Sequence, residues 1–460
     1  MQKKKTMLLI CSNITGGTKR HFNEMAHAWL EQGHCVVTIE TYHTLAKLYI
    51  WLDEGEVSSK IISLPKDKNA LLQLLRACEI GLIHYHHFLY MDEFWLELGK
   101  QLNVPFYVTL HDYYTICPMI KLIGKKGRYC EHISINKCNQ CLRYNKIYFE
   151  LERKMDIYDI NEWRNKWNRY LSLAKKIFVP HRDVKIRLGK VWPELKTTVF
   201  ENPEIVSFPI NHTKERVNSR SIRVGVIGEL GEAKGAGVIR EIAEKVAKRH
   251  LPIELILFGQ FLDYKGDLPS SITVLGKYNE IQVYQQIVDN AIDYFIFPPI
   301  WPETYSYTLT IPIRLGIPVL GVDIGAIGAR IQENGWGEVY PYDSSAEYIC
   351  KRLMNFDYKH YSSLKENFKI KNNSFPLARE LYGREIENTT TLNIVDIVNS
   401  IGKLNKRIEY SGLNDVIFTD FMVLKSWGLS KLAVLQMVKN INWEYFFKQL
   451  IRKVYRLIIS

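Results

Sequence analysis

Three short stretches carry side chains that could do chemistry. The stretch WPETYSYTLT, Trp301–Thr310, sets the carboxylate Glu303 a few residues before the hydroxyls of Ser306, Tyr307 and Thr308. It follows the apolar run DYFIFPP and turns helical, with Tyr307, Thr310, Ile311 and Leu315 about one turn apart. Backbone N–H groups at a helix start suit a phosphate. A carboxylate repels phosphate but accepts hydrogen bonds from hydroxyls on the same ligand. A ligand with both groups suggests a nucleotide sugar. The stretch GEAKGAG offers Lys234, a cation suited to a leaving phosphate, among Gly228, Gly231 and Gly235 that let the backbone approach it. The stretch HDYYTICP places His111 at the end of the strand-like FYVTL. Its imidazole could position a sugar hydroxyl, and Asp112 beside it could orient the loop.

Four cysteines, Cys117, Cys130, Cys138 and Cys141, lie within 25 residues and end in the tight pair CNQC. Four thiolates can close a tetrahedral zinc site of purely structural character. His132 is an alternative ligand. Unbound thiols and a disulfide are the competing readings, the last disfavoured in a reducing compartment. Cys11, Cys35 and Cys78 fall in or near apolar runs and read as buried thiols.

These groups need a scaffold. With 460 residues, 47% hydrophobic and 24% charged, the chain reads as globular and too long for one core. The net charge of +12 favours an anionic partner, but it is scattered and does not read as a nucleic-acid surface. No run reaches 18 apolar residues, so no transmembrane helix is expected, and Met7–Cys11 is too short for a signal peptide. A cytoplasmic location follows.

Strand-like runs at Met7–Cys11, Cys35–Ile39, Ile80–His84, Phe106–Leu110 and KIFVP alternate with helical segments. They predict an α/β domain over 1–205, with the cysteine-bearing insertion at about 115–145. Gly16 and Gly17 fall in a turn, Ser12–Thr18, after the first strand. His212–Arg220 reads as a linker. IRVGVIG, IELILFG, SITVLG, DYFIFPP and IPVLGV then predict a second α/β domain over 206–375, facing the first across a cleft. Residues 376–460 form a helical extension. Its last segment, 441–459, has an apolar stripe opposite Lys448, Arg452, Lys453 and Arg456. Such a helix either packs on the body or lies on an anionic membrane surface.

The layout, with WPETYSYTL, PVLGVDIGAIGARI and HDYYTICP in that context, resembles the two-Rossmann-domain (GT-B) glycosyltransferases of the retaining glycosyltransferase family 4, over roughly residues 7–380. The motifs look like those of a subgroup that assembles bacterial surface polysaccharide. The resemblance implies transfer of a sugar, with retention, from a nucleoside diphosphate sugar to a hydroxyl acceptor, either a growing or a lipid-linked glycan. A peripheral place at the inner face of the cell membrane would fit such an acceptor. The resemblance implies that Glu303 contacts the donor sugar, Lys234 meets the diphosphate, His111 sits near the reacting sugar, and the Gly16–Gly17 loop closes on the donor. His84, His86 and His87 would line the acceptor side. No redox cofactor is implied. The family pattern is broken twice: its second glutamate, eight positions on, is Ile311, and an arginine five positions before Lys234 is Glu229. Those departures favour a rival reading, a catalytically silent subunit that stabilises a partner enzyme. A phosphorylase or nucleotide-sugar epimerase on the same architecture is a third reading.

Overall fold

The computed structural model describes residues 6–52, 55–64, 66–130, 134–144, 159–202, 221–262, 264, 266–279 and 282–364. The linker His212–Arg220, His132 and the basic segment 441–459 lie outside them. By packing, the described residues divide into two compact units: 6–15 with 22–105, and 16–21 with 106–364. Residues 106–202 thus group with 221–364, whereas the sequence reading closes a domain at 205. Side chains explain the grouping: Tyr129 N–H donates to the Tyr342 hydroxyl at 2.6 Å, and His181 and Arg182 face Glu333 at 3.5 and 3.7 Å.

In the first unit, strands β1 (Thr6–Ser12), β2 (Cys35–Tyr42), β3 (Leu45–Leu52), β4 (Gly55–Ser63) and β5 (Ile80–Tyr85) run in the order β4-β3-β2-β1-β5. β1 pairs in parallel with β2 and β5. All seven residues of β1 are buried, which is why it reads as an unbroken apolar run rather than an alternating one. β3 and β4 add antiparallel strands that the sequence reading leaves unassigned. Cys11, Cys35 and Cys78 are buried free thiols, as expected. The first helix, Gly17–Glu31, starts inside the predicted turn; its Phe22, Met25, Ala26 and Trp29 are buried.

In the second unit, β6 (Phe106–Thr109), β7 (Lys176–Val179) and β8 (Thr198–Val199) are parallel neighbours. A six-stranded parallel sheet follows: β9 (Ile222–Leu230), β10 (Ile253–Phe261), β11 (Ile272–Val274), β12 (Tyr294–Phe297), β13 (Val319–Val322) and β14 (Gly337–Tyr340), in the order β11-β10-β9-β12-β13-β14. Alternate residues feed two cores. Val224, Leu255, Tyr294 and Leu320 pack with Ile239, Ile242, Val246 and Leu353. Ile227, Phe258, Phe295 and Val319 pack with Leu309, Ile313, Ile327 and Ile331. Each fully buried side chain of this size contributes about 1.5–3 kcal/mol. Strand order reverses between β9 and β12. A ligand crevice in such a sheet opens at the carboxyl ends of those two strands. Among the described residues, no helix is long and apolar enough to cross a membrane.

Candidate active site

Lys234 follows β9 and Glu303 follows β12, so the sheet topology places both at that switch point. After β12 the chain turns at Ile300–Glu303, where Ile300 N–H donates to Ala233 O at 3.0 Å. Glu303 O accepts from Ala326 N at 2.7 Å. This contact requires Gly325: its φ is +65°, and a Cβ there would lie 2.6 Å from Pro302 Cα. The Glu303 side chain is buried, and among the described residues its carboxylate has no ion-pair partner within 4.0 Å. A buried carboxylate in that position suits a hydrogen-bond-donating ligand.

Ser306 has φ 71°, a left-handed conformation unusual outside glycine. Arg330, itself buried, holds it there. Its guanidinium donates to Tyr305 O at 2.9 Å and Ser306 O at 3.1 Å, and stacks 4.1 Å from the Tyr305 ring. The helix Tyr307–Arg314 begins next and carries no side-chain cap from Ser306, whose hydroxyl instead meets Thr308 Oγ1 at 3.1 Å. Gly17 packs against this helix start, its Cβ position 3.2 Å from Tyr307 Cδ2, and the Arg20 guanidinium lies 4.5 Å over the same ring. Gly16 is left-handed, with φ +79°. Ile311 is buried in the core under this helix, so an apolar contact fills the position where the resemblance expects a carboxylate.

The loop Gly228–Gly235 faces the same helix start. The Cβ position of Gly228 lies 3.7 Å from Thr308 Cγ2 and 3.9 Å from Lys234 Nζ. Gly235, with φ +86°, passes so close to Pro298 that a Cβ would lie 2.1 Å from its carbonyl oxygen. Lys234 is exposed. Glu229, the acidic departure from the family pattern, pairs with Lys277 at 3.3 Å and accepts from Gln260 at 3.4 Å.

His111 is buried at the end of β6, and its carbonyl accepts from Thr304 Oγ1 at 2.5 Å. Its ring meets His21 edge-on at 4.8 Å. Burial lowers the His21 pKa to about 3, so that imidazole is neutral near pH 7. Asp112 Oδ1 accepts from Tyr114 N at 2.9 Å, the loop-orienting role expected of it. Glu303, Lys234, His111, Gly17 and Ser306–Thr308 therefore belong to one unit and one neighbourhood. His84, His86 and His87 are buried at and just after β5 in the other unit, with the first two rings 4.2 Å apart. Arg330 and His21 are the residues that sequence reasoning missed. Arg330 stands inside the quoted GAIGARI, but its bonds run to carbonyls over 20 positions away.

All four insertion cysteines are free thiols. Cys138 and Cys141 lie one turn apart on the helix Ile135–Tyr144. Arg164 bridges this helix to the Cys117 loop, donating to Ile116 O at 3.0 Å and Cys138 Sγ at 3.7 Å. Burial, then the Cys130, Cys138 and Cys141 sulfurs, push the Cys117 thiol well up. The Cys117 thiol thus lies within electrostatic reach of the other three sulfurs.

No family profile and no curated protein matches the sequence. Solved structures do. Sucrose-phosphate synthase from Thermosynechococcus elongatus is similar at 14% identity, over 87% of this chain and 98% of that one, with TM-score 0.51. HepE from Anabaena, in complex with UDP-glucose, is similar at 16% identity over 87% of this chain and 100% of that one, with TM-score 0.47. TarM is similar at 9% identity over 83% and 98%, with TM-score 0.48. The likeness to sucrose-phosphate synthase shows the fold: the chain has the α/β architecture with two parallel-sheet domains that matches GT-B structures.

Proposed function

We propose that the protein is a glycosyltransferase that moves a sugar from a nucleoside diphosphate sugar to a hydroxyl acceptor, with retention at the anomeric carbon. One observation carries this reading: a buried carboxylate, Glu303, stands beside an uncapped helix start with Lys234 across from it. Such a site holds sugar hydroxyls at one end and a diphosphate at the other. The acceptor oxygen bonds to the anomeric carbon as the bond from that carbon to the diphosphate oxygen breaks. The departing diphosphate takes the acceptor proton. Lys234 and the N–H groups of the helix start stabilise its growing charge. His111, beside a neutral His21, orients a sugar hydroxyl. Gly228 and Gly235 let the backbone approach the phosphates, and Gly16 and Gly17 close the other side.

The departures from the family pattern do not favour the silent-subunit reading at Glu229, because that carboxylate is paired with Lys277. Ile311 still favours it, since the buried isoleucine offers the ribose no hydrogen bond. Glu303→Gln and Lys234→Ala, assayed for diphosphate-sugar affinity and turnover, separate the two. Each should lose about 2–5 kcal/mol, more than tenfold. Unchanged binding and turnover in both would sink the donor site.

The proposal extends to three further points. A structural zinc held by Cys117, Cys130, Cys138 and Cys141 would draw the sulfurs in to about 2.3 Å from the metal. Metal analysis of protein purified without added metal should find one zinc per chain; near-zero metal in folded, reduced protein would exclude it. The acceptor is a growing or lipid-linked surface glycan, and the segment 441–459 holds the enzyme at the inner face of the membrane. In flotation, full-length protein should rise with anionic vesicles while a chain ending near 440 stays down. Equal behaviour of the two would remove the tail as an anchor.

A further inference from the structure

Tyr307 is the first residue of the helix Tyr307–Arg314, and three neighbours from the second unit fix its ring. Tyr305 meets it edge-on at 5.2 Å. Gly17 brings bare backbone against it, with a Cβ position 3.2 Å from Cδ2 and 3.5 Å from Cε2, so a side chain there would press on the ring. The half-buried Arg20 sets its guanidinium 4.5 Å over the ring centroid. In a helix each Cα–Cβ bond tilts toward the N-terminus. A ring on the first residue therefore projects to the end where backbone N–H groups lack a carbonyl partner within the helix. A cation seated on that ring lies beside those donors. Gly17 and Arg20, one turn apart, reach the ring from one face of their own helix.

The helix that carries Arg20 breaks a local rule. Gly17–Glu31 opens with Thr18, Lys19 and Arg20 and has no acidic residue in its first turn. The positive end of a helix dipole disfavours cations in that turn. Arg20 N–H donates to Gly16 O at 3.0 Å, which places Arg20 within it. The helix Tyr307–Arg314 likewise has no acidic residue in its first turn. Two positive helix ends and the Arg20 cation thus meet around one tyrosine ring. Lys234 approaches the same helix start beside Thr308: the Cβ position of Gly228 lies 3.7 Å from Thr308 Cγ2 and 3.9 Å from Lys234 Nζ. The buried Glu303 sets a carboxylate against two full cations and two helix ends, which leaves the balance among these groups positive. Departures from local preference of this kind are expected where a function requires them.

The chemistry of the two cations names the ligand. Contact with a ring engages the face of a guanidinium, whereas its five N–H groups lie in the plane and match phosphate oxygens two at a time. An ammonium such as that of Lys234 is a point charge without this fork. A diphosphate leaving group carries more charge than one ammonium balances, and its two phosphates can be held by two cations of different geometry.

Resting on the donor reading above, we propose that Arg20, seated on the Tyr307 ring, is a second cationic ligand of the donor diphosphate beside Lys234. Titration calorimetry of the full chain with inorganic pyrophosphate, and with uridine and adenosine diphosphates, tests it. Arg20→Met keeps an unbranched chain to pack on Tyr307 and removes the charge. It should lose about tenfold or more in affinity for pyrophosphate and for any diphosphate that binds, with an unfolding midpoint like the parent's. Arg20→Lys should stay within about threefold of the parent, since it keeps the charge. Tyr307→Leu removes the seat: it should weaken binding in the parent but add less than about twofold to the loss in Arg20→Met. Lys351→Ala, at an exposed lysine on the helix Ala346–Asn355, should bind like the parent, which excludes a general effect of net charge. The salt dependence of binding should be shallower in Arg20→Met, as expected when one cation leaves the site. If the parent protein binds none of these probes, the donor reading falls and this proposal with it. If the parent binds and Lys234→Ala weakens it while folded Arg20→Met does not, the donor reading stands and Arg20 is overturned. A loss in Arg20→Met that Arg20→Lys fails to restore overturns the charge role, and fully additive losses from Tyr307→Leu and Arg20→Met overturn the seat.

Discussion

The loops Gly228–Gly235 and His111–Cys130 reach the same segment, Ile300–Thr304, by opposite means. The first uses glycine wherever the backbone is left-handed or crowded: Gly228 at φ +118° and Gly235 at φ +86°. The second places Ile120 and Leu122 in left-handed conformations, at φ 55° and 54°, and fixes them with cross-loop hydrogen bonds. A glycine loop can shape itself to a phosphate without help from distant parts of the chain. A strained loop holds its shape only while its anchors last. The difference teaches that positioning here is local on one side and borrowed on the other.

Acid should break the borrowed side first. His21 packs on His111, where the strained loop begins, and its pKa falls from 6.5 to about 3 on burial. A depressed histidine pKa stabilises the fold fully above pH 6.5, and this contribution is lost as pH falls toward 3. The loss amounts to about 5 kcal/mol at most. Denaturant unfolding across that window should show the decline, and His21→Asn should flatten it. An unchanged acid slope in folded His21→Asn would remove His21 as the cause.

Gly235→Ala attacks the glycine side. The added methyl would meet Pro298 O at 2.1 Å in a left-handed residue, so a loss of about 3 kcal/mol or more is expected in the unfolding midpoint. A loss below about 1 kcal/mol would mean that the strand end shifts freely to make room. Arg330→Met is expected to cost about 2–3 kcal/mol, through two carbonyls that lose a charged donor. The smallest effect sharpens the contrast between the loops. Ile120→Gly should hold or raise stability by up to about 1 kcal/mol, because relief of strain offsets the loss of a half-buried side chain. A clear drop would show that the isoleucine side chain, rather than its backbone, anchors the turn.

Much of this architecture is legible in the sequence for a simple reason. β1, β9, β10, β12 and β13 are buried on both faces or nearly so, and burial on both faces writes itself as a continuous apolar run. The antiparallel pair β3 and β4 lacks that signature: LAKLYIWL alternates apolar and polar residues only in part, and GEVSSKIIS opens with polar ones. At the site, Glu303, Lys234 and His111 stand in short local motifs and are found by reading along the chain. His21 and Arg330 are not. Each takes its meaning from a group far away in sequence: His21 from His111, Arg330 from Tyr305 and Ser306. Glu229 is the converse case. Its position beside the loop glycines suggests repulsion of a phosphate, and only the strand neighbour Gln260 and the more distant Lys277 reveal that it points elsewhere.

Arg330 has a consequence for timing and heat. It grips the Tyr305 and Ser306 carbonyls and the Tyr305 ring at once, and Gly325 admits the Ala326 N–H to Glu303 O from the same helix. The segment Glu303–Ser306 is therefore ordered by the protein itself rather than by its ligand. A ligand that docks on a pre-ordered segment loses little conformational entropy from the protein. Loosening the grip with Arg330→Met should then weaken diphosphate binding chiefly through a less favourable entropy, with the binding enthalpy nearly preserved. Amide exchange should report the same event: protection at Thr304–Ser306, present before any ligand is added in the parent protein, would appear in the variant only after binding.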